Sequence, residues 1–139
     1  MKYEKIYRKT EYILEKLKYL KNNRPEDLKH FKSDETLQMA ILYALEVCIE
    51  AIVDIVMQIG TKVYKKKYED DYRMFETLFE EKIIDEELFE KLRKLNGLRN
   101  AIVHAYDSLM IEEIYRNYND ILRDIGYVTE KLVKSIEDI

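Results

Sequence analysis

An arginine and a histidine lie five residues apart in a helical segment of the second half of the chain. Arg99 falls in a run of leucines and isoleucines spaced three and four residues apart, where the pattern calls for an apolar side chain. A buried arginine needs a counter-charge, an anion or a water-filled cleft, because an unpaired buried charge is costly. Arg99 therefore predicts either an ion pair with an acidic side chain or a site that binds an anion such as phosphate.

Two further polar side chains share the adjacent face of the same predicted helix. Asn100 and His104 are one helical turn apart, and Gly97 lies seven residues before His104, where a missing side chain leaves room beneath the imidazole. A guanidinium can hold a phosphate, and an imidazole can exchange a proton near neutral pH. Arg99 and His104 could thus cleave RNA by directing the 2′-hydroxyl onto the adjacent phosphate, without a metal. The plainer interpretation is an Arg99–acid pair beside a hydrogen-bonded core histidine.

The segment from Leu98 to Tyr106 resembles the signature of the HEPN ribonucleases, in which Arg-Asn is followed by three residues and a histidine. It is also similar to the fuller form of the HepT group, which is Arg, any four residues, His, any one residue and Tyr. Arg99, His104 and Tyr106 occupy the three fixed positions of that form. The match therefore includes Arg99 and His104, the two residues that could bind the phosphate and exchange the proton.

The resemblance extends beyond the motif to most of the chain. The apolar stretch from Leu37 to Ile59 is similar to the family's central helix, and the resemblance is strongest from about residue 71 to residue 122. Relatives often place an acidic residue before the last helix, whereas this chain has Ser108-Leu109-Met110 there. This departure concerns the start of a helix and leaves the catalytic pair intact.

This resemblance implies a metal-independent endoribonuclease that needs no cofactor and acts on an RNA such as tRNA or mRNA. It implies a homodimer in which two copies of the motif, with Arg99 and His104 as catalytic residues, face one cleft. It also implies a partner, a minimal nucleotidyltransferase that acts as antitoxin. In HepT relatives the motif tyrosine accepts AMP groups, which silences the toxin, and the corresponding residue here is Tyr106. The alternative is a catalytically silent helical dimer that binds such a nucleotidyltransferase.

The elements that position these residues are predicted to be helices throughout. Only three glycines and one proline occur in 139 residues, and no alternating strand pattern is present. Apolar periodicity predicts five helices, at about residues 3–22, 34–59, 72–79, 86–106 and 111–136. Ser33 and Asp85 are placed to cap two of them, and Gly60 to end another. We therefore expect one all-α domain, residues 1–139, folded as an antiparallel up-and-down bundle of four or five helices.

Composition and charge exclude several classes of protein. Charged residues make up 37% of the chain, and no uncharged apolar stretch reaches about 18 residues, so a transmembrane helix is not expected. The first residues lack the apolar run of a signal peptide, which makes a cytoplasmic location the default expectation. The net charge of −4 disfavours long nucleic acid duplexes but permits a confined phosphate site. The single cysteine, Cys48, excludes an internal disulfide and is expected to be a packing thiol.

The predicted central helix carries several acidic residues on one stripe. Glu46, Glu50 and Asp54 are four residues apart and can orient Arg99 or His104, or form a solvated or ion-paired stripe. A two-metal site in a bundle would need Glu-x-x-His pairs, and the sequence has none. The helix is otherwise apolar almost all round, more than one thin bundle can cover, which predicts a symmetric homodimer.

Two polar segments outside this helix carry side chains that could have a function. Lys65-Lys66-Lys67 lies among Tyr64, Tyr68 and Tyr72, and such a segment can stack on bases and contact phosphates, or can be a solvated connection. His30 follows the first helix in a polar connection, where we expect it to be an exposed loop residue.

Overall fold

The computed structural model describes residues 3–104 and 107–139, and these residues form helices and connections without a β-strand. We number the α-helices in chain order: α1 Glu4–Asn22, α2 Leu28–Ser33, α3 Glu35–Gln58, α4 Asp71–Glu80, α5 Glu86–His104, α6 Ser108–Arg116 and α7 Tyr118–Glu137. The predicted all-α class is confirmed. No helix in the described ranges has the length and apolar character needed to cross a membrane.

The long helices α1, α3, α5 and α7 form the bundle, and contacts between α1 and α3 show that these two run in opposite directions. Lys9 near the start of α1 pairs with Asp54 near the end of α3. Further along, the thiol of Cys48 donates to the backbone carbonyl of Ile13. Cys48 is fully buried, and burial raises the pKa of its thiol to about 12, as suits the packing role predicted for it.

Helix α7 is antiparallel to both α1 and α5. The hydroxyl of Tyr118 donates to the carbonyl of Leu20 at 2.6 Å, so the start of α7 meets the end of α1. Against α5, Lys91 pairs with Asp124, and the next turn of α7 brings the hydroxyl of Tyr127 onto the carboxylate of Glu87 on the preceding turn of α5. The four long helices therefore alternate in direction, and the predicted antiparallel up-and-down bundle is confirmed, with α2, α4 and α6 at its connections.

Helix α3 supplies the largest part of the core. Eleven of its residues are buried within the single chain: Ile41, Leu42, Ala44, Leu45, Cys48, Ile49, Ala51, Ile52, Val53, Ile55 and Val56. Met39 and Tyr43 are the large apolar side chains of α3 that stay exposed. The expectation that α3 offers more apolar surface than one chain can cover is therefore wrong, because α1, α5 and α7 together enclose it.

Two predicted boundaries of α3 are also wrong. Ser33 is the last residue of α2, and the cap of α3 is Asp34, whose carboxylate accepts a hydrogen bond from the backbone N–H of Leu37. Gly60 does not end the helical path, because a π-helical turn, Ile59–Val63, continues it. A side chain at Gly60 would overlap the thioether of Met74, so this glycine permits the close approach of the π-helical turn and α4.

The polar connection after α1 contains the short helix α2, which sequence periodicity did not reveal. Asp27 caps α2, and its carboxylate contacts both the backbone N–H and the ring Nδ1 of His30. His30 is exposed, as predicted, but it is a helical residue and not a loop residue. Only Phe31 of α2 is buried, and the two apolar residues of this short helix, Leu28 and Phe31, are too few to show a periodicity.

The predicted helix from about residue 111 to 136 is divided into α6 and α7 at Asn117, whose amide donates to the carbonyl of Glu113. Asp107 caps α6 by accepting a hydrogen bond from the backbone N–H of Met110, so the acidic residue that Ser108-Leu109-Met110 lacks is supplied one position earlier. The cap of α5 is the predicted one, because Asp85 accepts from the backbone N–H of Leu88.

Candidate active site

Arg99 reaches from α5 to the central helix. Its Nη2 donates to Oε1 of Glu50 at 3.1 Å, and its Nη1 donates to Oδ1 of Asn100, also at 3.1 Å. The side chain of Arg99 is 28% exposed and that of Glu50 is 40% exposed. Glu50 is thus the acid that pairs with Arg99, and the pair remains open to solvent on one side. An arginine in this position can still meet an anion.

A cavity of about 510 Å³ opens beside this ion pair. Its lining includes Val53 and Met57 of α3 and Thr61 of the π-helical turn. It also includes Tyr68 from the connection before α4 and Asp71 from the start of α4. The cavity therefore combines one guanidinium with carboxylates, apolar surface and an aromatic side chain. Such a mixture suits a ligand that has both an anionic and an aromatic part.

Tyr68 is the aromatic side chain of this cavity, and about half of its surface is exposed. Its hydroxyl lies 3.4 Å from Oδ1 of Asp71, and the negative charge of Asp71 raises the pKa of that hydroxyl. Asp71 was not predicted as a site residue. Its place in the cavity depends on the path of the connection between the π-helical turn and α4. No local pattern in the sequence predicts that path.

Asp54 lines the same cavity, but it pairs with Lys9 and not with Arg99. Its Oδ2 accepts from Nζ of Lys9 on α1 at 3.1 Å. Asp54 therefore contributes a neutralised carboxylate to the wall of the cavity. Within residues 3–104 and 107–139, no three His, Cys, Asp or Glu side chains are grouped so that they could hold a metal ion.

Asn100 connects α5 to α4. While its Oδ1 accepts from Arg99, its Nδ2 faces the hydroxyl of Tyr72 at 3.4 Å. A side-chain carbon at Gly97 would lie 4.0 Å from the same hydroxyl, so the open space at Gly97 is beside Tyr72. The sequence places Tyr72 near the lysine-rich segment and gives no sign of this contact, which joins residues 28 positions apart.

His104 is the last described residue of α5, and it is exposed. It is therefore not the hydrogen-bonded core histidine of the plainer interpretation. Five residues of an α-helix correspond to a rotation of about 140°, so Arg99 and His104 leave α5 on different sides. Tyr106, the predicted AMP acceptor, lies outside the described residues.

The chain matches known proteins over most of its length. A family model described as "Ribonuclease HepT-like" matches residues 6–132. The mRNA nuclease HepT of Shewanella oneidensis is 31% identical over 98 residues, which are 70% of this chain and 74% of that protein. A protein of Archaeoglobus fulgidus, provisionally named an RNase, is 36% identical over 126 residues, or 91% of this chain and 94% of that protein.

Solved structures show the same fold. A tri-AMPylated HEPN toxin of Shewanella oneidensis in complex with MNT antitoxin has a TM-score of 0.81 and 27% identity, covering 94% of this chain and 97% of that chain. A crystal structure of a toxin–antitoxin with AMP-PNP also has a TM-score of 0.81, with 26% identity over 92% of this chain and 97% of that one.

Proposed function

Because the chain belongs to the HepT-like ribonuclease family, we propose that it is a toxin-type endoribonuclease that cleaves RNA without a metal ion, with Arg99 and His104 as its catalytic residues. Arg99 binds the scissile phosphate, and His104 takes the proton of the neighbouring 2′-hydroxyl. The 2′-oxygen then attacks phosphorus and the bond to the 5′-oxygen breaks. The leaving 5′-oxygen takes up one proton, so the products are a 2′,3′-cyclic phosphate and a 5′-hydroxyl.

The observation that carries this proposal is the accessible arginine beside a cavity. A guanidinium has five N–H donors, and the protein contacts around Arg99 engage Nη1 with Asn100 and Nη2 with Glu50. Donors therefore remain for a phosphate that approaches from the open side. Glu50 keeps the guanidinium oriented toward the cavity in the unbound protein.

The cavity also favours unpaired RNA over a duplex. Tyr68 offers an exposed ring on which a base can stack while the phosphate lies at Arg99. The carboxylate of Asp71 repels additional phosphates, and the carboxylates of Asp54 and Asp71 can accept hydrogen bonds from base amino groups. A single-stranded stretch of an mRNA or a tRNA loop, reached in the cytoplasm, meets these requirements.

We expect RNA cleavage to survive chelation and to depend on the 2′-hydroxyl. The purified protein, assayed in excess EDTA, should produce ends that carry a 2′,3′-cyclic phosphate, identified by mass spectrometry. RNA with a 2′-O-methyl group at the cleaved nucleotide should stay intact. An Arg99→Ala protein purified in parallel reports contaminating nucleases. Cleavage that stops in EDTA and returns with added metal, or products with a 3′-hydroxyl, would contradict this mechanism.

A second copy of the chain is proposed to complete the site. Since Arg99 and His104 leave α5 about 140° apart, one chain does not present both on one face. Two copies of the motif that face each other across a twofold axis would surround the phosphate from both sides. Val103, which is exposed next to His104, supplies apolar surface to such an interface.

A symmetric homodimer should therefore be measured by multi-angle light scattering at micromolar concentration, with about twice the chain mass of 16.9 kDa. Val103→Glu should give a folded monomer, by circular dichroism, that has lost most RNA cleavage, because a charge opposes burial of this surface. The matched control is Tyr43→Glu on α3, which is also open to solvent and should stay dimeric. A fully active wild-type monomer would rule out the dimeric site.

A minimal nucleotidyltransferase is the proposed antitoxin partner. The support for this comes from a relative of the same fold, which was solved as a HEPN toxin in complex with MNT antitoxin. Copurification of the chain with the product of a neighbouring nucleotidyltransferase gene is the direct measurement.

A further inference from the structure

Asn96 is a buried polar residue of α5 that the proposed mechanism does not yet use. It is 1% exposed and lies one turn before Arg99. In the part of the chain that the structure describes, its Oδ1 has no hydrogen-bond partner, and the Nε of Arg99 has none either. The first atom is an acceptor and the second is a donor, and burial of either without a partner is unfavourable.

Helix geometry brings these two groups to the same place. Residues three apart are neighbours on a helix surface, with their Cβ atoms about 5–6 Å apart. Helical side chains lean toward the N-terminal end, so the stem of Arg99 extends back over the turn that holds Asn96. The guanidinium contacts Asn100, which lies on the face of α5 that Asn96 shares.

We propose that Asn96 is a positioning residue for Arg99, with its Oδ1 accepting a hydrogen bond from the Nε–H when the carboxamide turns toward it. This inference rests on the proposed function, because it assigns Asn96 a task only if Arg99 binds the phosphate. Glu50 and Asn100 hold the two Nη atoms, and Asn96 fixes the third nitrogen. With all three nitrogens held, the plane of the guanidinium is set and its free N–H bonds keep their direction into the cavity.

Asn96→Leu tests this directly, since it removes the acceptor at nearly constant volume. We expect kcat for RNA cleavage to fall about 10–30-fold with KM changed less than about twofold, because misorientation is felt most in the transition state. Asn96→Asp restores an acceptor and should keep kcat within about threefold of wild type. The melting temperature of Asn96→Leu should change little, because leucine removes the buried carboxamide but leaves the Nε–H of Arg99 without an acceptor, and these two effects oppose each other.

Thr129→Val provides a matched control. Thr129 is the other buried polar residue in the described core, and its hydroxyl donates to the carbonyl of Ile125 within α7, away from the cavity. This substitution should leave kcat unchanged. A purely structural role for Asn96 would instead make the kcat of Asn96→Leu follow its melting temperature, and Asn96→Asp would then not restore it.

The Nε–H of Arg99 gives a readout that does not depend on activity. Its ¹⁵N–¹H resonance, assigned by its loss in Arg99→Lys, should exchange slowly with water in wild type and rapidly in Asn96→Leu. In the Arg99→Lys background, which lacks this donor, Asn96→Leu should cause no further loss of cleavage. Unchanged kcat and unchanged exchange in Asn96→Leu would overturn the role of Asn96 alone. Wild-type cleavage by Arg99→Lys would instead overturn the function proposed for Arg99.

Discussion

His104→Ala should lower the rate of RNA cleavage by about 10²–10⁴-fold, the usual contribution of a general acid–base group. His104 is exposed at the end of α5, so its removal leaves no cavity in the core and the fold should be retained. The loss should fall on the chemical step, with RNA binding preserved. Single-turnover cleavage of a labelled oligonucleotide, together with a binding titration, measures the two separately.

His30→Ala is the matched control for this experiment. His30 is also an exposed helical histidine, but it lies in α2, far from the motif in the chain, and its ring contacts Asp27. This variant should cleave at the wild-type rate. If His104→Ala cleaves as fast as His30→Ala, His104 has no part in the reaction. If the wild type itself does not cleave any RNA, the catalytically silent dimer becomes the better interpretation.

Modification of Tyr106 should silence the enzyme completely. With ATP, magnesium and the cognate nucleotidyltransferase, we expect the tyrosyl oxygen to attack the α-phosphorus of ATP and to release pyrophosphate, leaving AMP on Tyr106. On a continuous helix Tyr106 would follow Arg99 by nearly two turns and would share its face. The added phosphate would then occupy the guanidinium and exclude the substrate. Intact mass and peptide mapping locate the AMP, and the cleavage assay measures the silencing.

Tyr106→Phe removes only the acceptor oxygen and should keep most of the activity while escaping inhibition. Tyr43→Phe, at an exposed tyrosine of α3, should be silenced like the wild type. This prediction rests on the sequence motif and on the tri-AMPylated HEPN toxin among the solved relatives. A Tyr106→Phe protein that the nucleotidyltransferase still silences, or AMP found on another residue, would refute it.

Those features of the fold that depend on neighbouring residues in the chain could be predicted from the sequence. The spacing of apolar residues gave the four long helices, and Asp85 was identified as a cap because it precedes an apolar run. The same reasoning chose Ser33 where the cap is Asp34. Both residue types can cap a helix, and the choice depends on where α2 ends, which one buried phenylalanine cannot signal.

The sequence predicted which residues of the site carry chemistry, but it did not predict the contacts that depend on how one helix packs on another. The position of Arg99 within an apolar stripe required a counter-charge, and the stripe on α3 offered Glu46, Glu50 and Asp54. The rotation of α3 against α5 selects Glu50, and that rotation is set by the whole core. Asn96 gave no signal, because a single asparagine beside a leucine has the same local pattern whether it is buried or exposed.

The contacts of Arg99 have a consequence for the thermodynamics of substrate binding. A free arginine side chain carries about 2 kcal/mol of rotamer entropy, which a mobile arginine would lose when it engages a phosphate. Here the bonds to Glu50 and Asn100 already select one rotamer, so this entropy is lost when the chain folds. RNA therefore meets a preorganised guanidinium, and more of the interaction energy with the phosphate is available to lower the activation barrier.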